Sequence, residues 1–206
     1  MTPTQNPGNF ERRSFATREL RLAPAEGGLG TLTGYAAVFD SLSEDMGGWF
    51  ERIAPGAFSA AILEDDIRCL RDHEECQILG RNRAGTLRLS EDGVGLAIEC
   101  PLPDTSYARD LAVSMARGDV NQMSFGFAVM SPEDERWENI GGKAVRTLLR
   151  VKLFDVSPVT YPAYTATSVQ VAQRSLERFR ELQATPPAPG GRPIAMLARE
   201  LDIASV

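Results

Sequence analysis

The chain has 206 residues, 43% of them hydrophobic, enough to bury one sizeable core and too apolar for an intrinsically disordered protein. The formal net charge is −6 and no stretch strings lysines and arginines together, which argues against nucleic-acid binding, since phosphate contacts need clustered positive charge. No apolar run reaches the ~18 residues of a membrane span, the N-terminus lacks the apolar segment of a secretory signal, and an odd count of three cysteines reads as free thiols in a reducing compartment.

Residues 1–16 are polar, contain Pro3 and Pro7, and read as a flexible N-terminal arm. From Glu19 the pattern alternates: ELRLA and then TLTGYAAVFD predict two strands, and the turn-rich SLSEDMGG separates them from a third, WFERI. PGAFSAAI predicts a short helix with Pro55 in its first turn. Strands follow at 66–73, 85–90 and 94–102. Thr105 is placed to cap a helix over 106–117 that Gly118 ends. Further strands are predicted at 122–130 and 145–157, with the polar WENIGGK between them as a loop. Residues 168–183 carry an incomplete apolar stripe and predict a helix. TPPAPGGRP at 185–193 is a linker by composition, followed by a short amphipathic tail to residue 206. The division is therefore an arm at 1–16, one domain over 17–184, and a linker and tail at 185–206.

Three features carry possible chemistry. His73 is the only histidine, so proton transfer near neutral pH has one obvious carrier; taken alone, at a strand end beside Glu74 and Glu75, it reads more readily as an ordinary surface residue. In Met123–Val129, strand alternation puts Met123, Phe125, Phe127 and Val129 on one face and Ser124, Gly126 and Ala128 on the other. That small face suits a nucleophile approached closely by substrate, or a β-barrel interior packed tightly against a helix. Asp155 follows Leu149, Val151 and Leu153 on one predicted face. An aspartate there must be paired or hydrogen-bonded if buried, and is unremarkable if the strand end faces solvent. A different class of function is open as well: Cys69, His73, Cys76 and Cys100 have the ligand types of a zinc-stabilised interaction domain, although their spacing lacks the paired knuckles of common zinc sites. A thiol nucleophile formed by Cys76 and His73 is a third reading.

Taken in order, GYAAVFD, ERIAPGAF, LRDHEECQILGR, GTLRLSEDGVGLAIECPLPDT, GDVNQMSFGF and LFDVSPVTYPAYTAT resemble the prohead maturation proteases of tailed phages, serine peptidases related in fold to herpesvirus assemblins. The likeness runs over about residues 30–170. It implies an α+β, mostly β domain: an assemblin-like β-barrel surrounded by helices. It implies Ser124 as nucleophile, His73 as general base and, as third member, Asp155 where the family often has glutamate. A second histidine in that place, as in assemblins, is excluded because the chain has none. No cofactor or metal is implied. The expected partners are the major capsid protein and its scaffolding segment, with a homodimer as an option, in the host cytoplasm inside the assembling procapsid. The oxyanion donors are expected near Ser124 or in a turn at Val156–Thr160, and the loose tails suit self-cleavage.

Overall fold

A computed structural model describes residues 10–16, 20–24, 28–161 and 166–184. Among them run twelve strands, β1 (Phe10–Ala16), β2 (Arg21–Ala23), β3 (Thr31–Val38), β4 (Trp49–Ile53), β5 (Arg68–Leu70), β6 (Ile78–Arg81), β7 (Arg88–Glu91), β8 (Gly95–Pro101), β9 (Gln122–Ala128), β10 (Glu135–Ile140), β11 (Lys143–Leu148) and β12 (Lys152–Val159). The helices are α1 (Ser59–Glu64), α2 (Ser106–Arg117) and α3 (Ala166–Ala184). The protein is mostly β, as expected. The described strands form three open sheets in the orders β1-β9-β12-β5-β6, β2-β3-β8-β7 and β10-β11-β4, so the expected barrel is not closed by one ring of hydrogen bonds among them.

Apolar alternation on β9 builds the core. Met123, Phe125 and Phe127 are fully buried with Leu153 and Val156 of β12, Leu32 of β3, and Leu96 and Ile98 of β8. Phe58 beside α1 meets Phe125 edge-on at 5.4 Å, and Phe125 lies 5.0 Å from Phe127. The opposite face of the five-stranded sheet is left for polar residues. Helix α2 ends on Gly118 in the left-handed conformation (φ +84°), as predicted; Thr105 stands at its N-cap, but the hydroxyl makes no capping bond.

Several expectations are corrected. Residues 10–16 belong to strand β1, antiparallel to β9, and not to a flexible arm. The reason lies in its charges. Glu11 and Arg13 are buried with Glu51 of β4 and Arg146 of β11, and half-buried Glu135 of β10 borders them. Arg146 donates to Glu11 at 2.8 and 2.9 Å, to Glu51 at 2.9 Å and to Glu135 at 2.6 Å. Arg13 donates to Glu51 at 2.6 Å and to Glu11 at 2.5 Å, over the ring of Phe127. Polar residues that looked solvated are thus an ion network joining β1 to the three-stranded sheet. The predicted strand at 145–157 is two strands in different sheets, split where the N–H groups of Leu149 and Arg150 turn to the carbonyl of Asp134. The predicted loop WENIGGK lies in the β10–β11 hairpin, with Gly141 and Gly142 at φ +60° and +83° supplying the turn.

Two compact units divide the chain, Met1–Ala172 and Gln173–Val206; the described part of the second is the continuation of α3 through Ala184. The expected linker and tail at 185–206 and the start of the arm at 1–9 lie outside the described residues. No helix among the described residues is long and apolar enough to cross a membrane.

Burial opposes the charge of Glu51, yet the guanidiniums of Arg13 and Arg146 outweigh it and hold its pKa below the ordinary value. A depressed carboxylate pKa contributes stability that is present above the unfolded-state pKa and is lost as pH falls through the lower folded-state value. Glu51→Gln should therefore flatten the loss of stability on acidification, read as the urea midpoint against pH. Arg146→Ala, which leaves buried carboxylates uncompensated, should cost about 3–5 kcal/mol in the same titration at neutral pH.

Candidate active site

β9 is the middle strand of three that converge on the polar face of the sheet. Across it, Ser124 stands opposite Ser14 of β1 on one side and Ser157 of β12 on the other. One row further along, Gly126 stands between Arg12 and Asp155. Asp155 therefore shares a face with Ser124, which strict alternation from Leu153 forbids. The cause is a bulge: the register of β12 against β9 shifts between Leu153 and Asp155, so Leu153 still pairs with core-facing Phe127 while Asp155 pairs with Gly126. The inserted residue, Phe154, reaches the ring of Phe10 at 5.5 Å. The expectation that Asp155 continues the aliphatic face of Leu153 is corrected accordingly.

The small face of β9 has a definite occupant. A Cβ added at Gly126 would collide with the Asp155 carboxylate and come within 2.9 Å of the Phe10 ring. The glycine is thus the space the carboxylate fills, so at this position the small face is neither an open platform nor a seat for a helix.

His73 arrives from elsewhere. β5 ends at Leu70, short of the strand predicted to residue 73, and His73 lies in the turn leading to β6. Asp72 and His73 both adopt left-handed backbone conformations, at φ +52° and +60°, a costly pair for residues with a Cβ. What holds them is the end of β12. The Asp72 N–H donates to the Pro158 carbonyl at 3.0 Å, and the Asp72 carboxylate accepts the Thr160 N–H at 2.7 Å. β5 itself runs parallel to β12, with Arg68 beside Asp155. The histidine turn and the aspartate strand are fastened together twice.

The result is a chain of short hydrogen bonds. His73 Nε2 lies 2.7 Å from Ser124 Oγ, and Nδ1 lies 2.5 Å from Asp155 Oδ1. The Ser157 hydroxyl donates to the same Asp155 oxygen at 2.6 Å. Ser124 and Ser157 are 0% exposed, Asp155 5% and His73 8%. All three predicted site residues are brought together, and Ser157 and Gly126 join them. Ser157 went unassigned by sequence reasoning, and only its spacing of two from Asp155 on a strand signals it. The segment 156–160 is corrected from a turn to the end of β12 and the residue after it, and the Thr160 N–H expected there as a possible oxyanion donor is committed to Asp72.

The four proposed zinc ligands do not assemble. Cys69 and Cys100 are buried and Cys76 is exposed. The Cys69 thiol pKa is raised, first by its hydrogen bond with Cys100, then by burial and by the charges of Cys100 and Asp155. Both ring nitrogens of His73 are taken by Ser124 and Asp155. Among the described residues no group of three or more His, Cys, Asp or Glu stands where it could hold a metal. In chemical terms, a hydroxyl faces an imidazole nitrogen whose other nitrogen faces a carboxylate, the arrangement needed to take a proton from a serine as it attacks a carbonyl.

A family model described as caudovirus prohead serine protease matches residues 14–181. No curated protein matches the chain. Among solved structures, the bacteriophage T4 capsid assembly protease aligns over 75% of this chain and 98% of its own at 10% identity and a TM-score of 0.49.

Gly126→Ala tests the packing that seats the acid. The added methyl should push the Asp155 carboxylate from His73, visible as loss of the downfield Nδ1–H signal of the lone histidine in proton NMR. An unchanged signal in the folded variant would mean that the carboxylate does not depend on the missing side chain.

Proposed function

Because the chain belongs to the family of caudovirus prohead serine proteases, we propose that it is a serine endopeptidase that cleaves capsid or scaffold segments during procapsid maturation. Ser124 is the nucleophile, His73 the general base and Asp155 the acid that orients it. One observation carries this reading: the His73 ring spans Ser124 and Asp155 with hydrogen bonds of 2.7 and 2.5 Å on a buried sheet face. The zinc-domain alternative has no comparable support.

In this mechanism Asp155 accepts the Nδ1–H of His73, which leaves the Nε2 lone pair toward the Ser124 hydroxyl. As Oγ attacks the scissile carbonyl, its proton passes to Nε2, and Asp155 stabilises the imidazolium that results. The same proton then goes to the departing amine. Water hydrolyses the acyl-enzyme by the reverse sequence, with His73 again as base. No cofactor enters any step.

The site of action in this reading is the interior of the assembling procapsid in the host cytoplasm, and the partners are the major capsid protein and its scaffolding segment. A net charge of −6 favours a grip through protein surfaces over DNA. The assemblin-like barrel and a homodimer belong to the same reading. The protease domain starts at β1, earlier than residue 17, and runs to about 184, because β1 supplies two members of the buried ion network. Self-removal is accordingly confined to residues before Phe10 and after Ala184.

Co-expression with the neighbouring capsid protein tests the activity. Capsid shortening should occur with the wild type and be abolished by Ser124→Ala and His73→Ala, which act as a unit. Asp155→Asn should slow it by about 10⁴-fold if the acid sets the histidine tautomer. Shortening that persists in Ser124→Ala would refute the nucleophile assignment. Intact mass spectrometry of the incubated wild-type protein checks self-removal: termini that stay untrimmed would exclude it.

A further inference from the structure

The triad as written leaves one polar group at its centre without a role. Ser157 is fully buried, sits two residues beyond Asp155 on the same face of β12, and stands directly opposite Ser124. Its hydroxyl donates to Asp155 Oδ1 at 2.6 Å, the oxygen that also takes the His73 Nδ1–H at 2.5 Å. An ionised carboxylate only accepts, so the Ser157 proton is committed to it.

We propose that Ser157 is a positioning residue: its hydroxyl fixes the plane of the Asp155 carboxylate so that Oδ1 stays aimed at His73, and through His73 at Ser124. The torsion that turns an aspartate carboxylate is broad and poorly defended by rotamer preference. A single bond to His73 leaves the group able to pivot about that bond. A second donor on the same oxygen, from a residue of the same strand, removes that freedom.

The need is acute here for two reasons on either side of the bond. Asp155 follows a bulge, where the strand is least regular, and Ser157 is the next residue in regular register on its face. His73 comes from a turn with two consecutive left-handed residues, so its placement is itself held by contacts to β12. Ser157 references the carboxylate to the strand on which both depend. On the far side Gly126 leaves the room, and Ser157 decides how that room is used. A purely space-filling serine would share none of this dependence on its hydroxyl.

The inference rests on the serine-protease reading of the site, but its principal readout does not need activity. His73 is the only histidine, so its Nδ1–H proton resonance assigns itself. In the full chain, Ser157→Ala and Ser157→Val should move that resonance upfield or lose it to solvent exchange, while Ser157→Thr, which restores the hydroxyl, should keep it. The rate at which a fluorophosphonate reagent modifies Ser124 should fall about ten-fold in the alanine and valine variants and recover to within about two-fold in the threonine variant. Threonine and valine are near-isosteric, so their comparison isolates the hydroxyl even if Ser157→Ala does not fold. An unchanged Nδ1–H resonance in folded Ser157→Ala or Ser157→Val, or a threonine variant that behaves like valine, would overturn the proposal. A wild-type Ser124 inert to the reagent would refute the protease reading instead, and the resonance comparison would still decide the role of Ser157.

Discussion

A carboxylate set into a buried sheet face has to be met by donors, and the architecture around Asp155 follows from that requirement. Left alone in such a place, an ionised group costs several kcal/mol, so each neighbouring element is arranged to meet it or make room for it. The bulge at Phe154 turns the side chain to the right face, Gly126 clears the volume, Ser157 and His73 supply the donors, and the Asp72 contacts hold His73 in reach. Remove any one and the others lose their purpose. Backbone strain at Asp72 and His73, in the turn that delivers the imidazole, is the visible cost.

The network of buried Glu11, Arg13, Glu51 and Arg146, bordered by half-buried Glu135, serves a related end on the other face of β1. It is a poor way to gain stability outright, since apolar replacements of buried ion pairs are often neutral or better. What it does supply is a single register. A one-residue slip of β1 along β9 would turn Arg13 away from Glu51 and bring it to the face that holds Ser14 and Ser124. Charges that must find particular partners thus keep the strand beside Ser124 in one alignment.

How much of this was legible in the sequence depended on what each residue advertised. Ser124 stood out because its neighbours are large on one side and small on the other, and His73 because it has no rival. The motif order carried the rest, and the family match covers the same ground. β1 was missed because Glu11, Arg12 and Arg13 look solvated until their partners, far along the chain, are known. The face of Asp155 was misread because a bulge breaks the two-residue period without leaving a glycine or proline as a marker. The hairpin of β10 and β11 did leave one, Gly141-Gly142, but its first strand, ERWENI, is too charged to read as a strand. The split between β11 and β12 falls at Leu149–Val151, inside a segment, VRTLLRVKLF, that carries no glycine or proline to mark a break.

The distances along the chain within this site have a consequence for when it can come into being. His73 and Asp155 are 82 residues apart, and Glu11 and Arg146 are 135 apart. Contacts of such long range close late in folding. A ribosome must have released β12 before the imidazole has its carboxylate, and β11 before the first strand has its counter-charges. A nascent chain in which β12 has not yet emerged therefore holds Ser124 and His73 without the carboxylate that meets the imidazole.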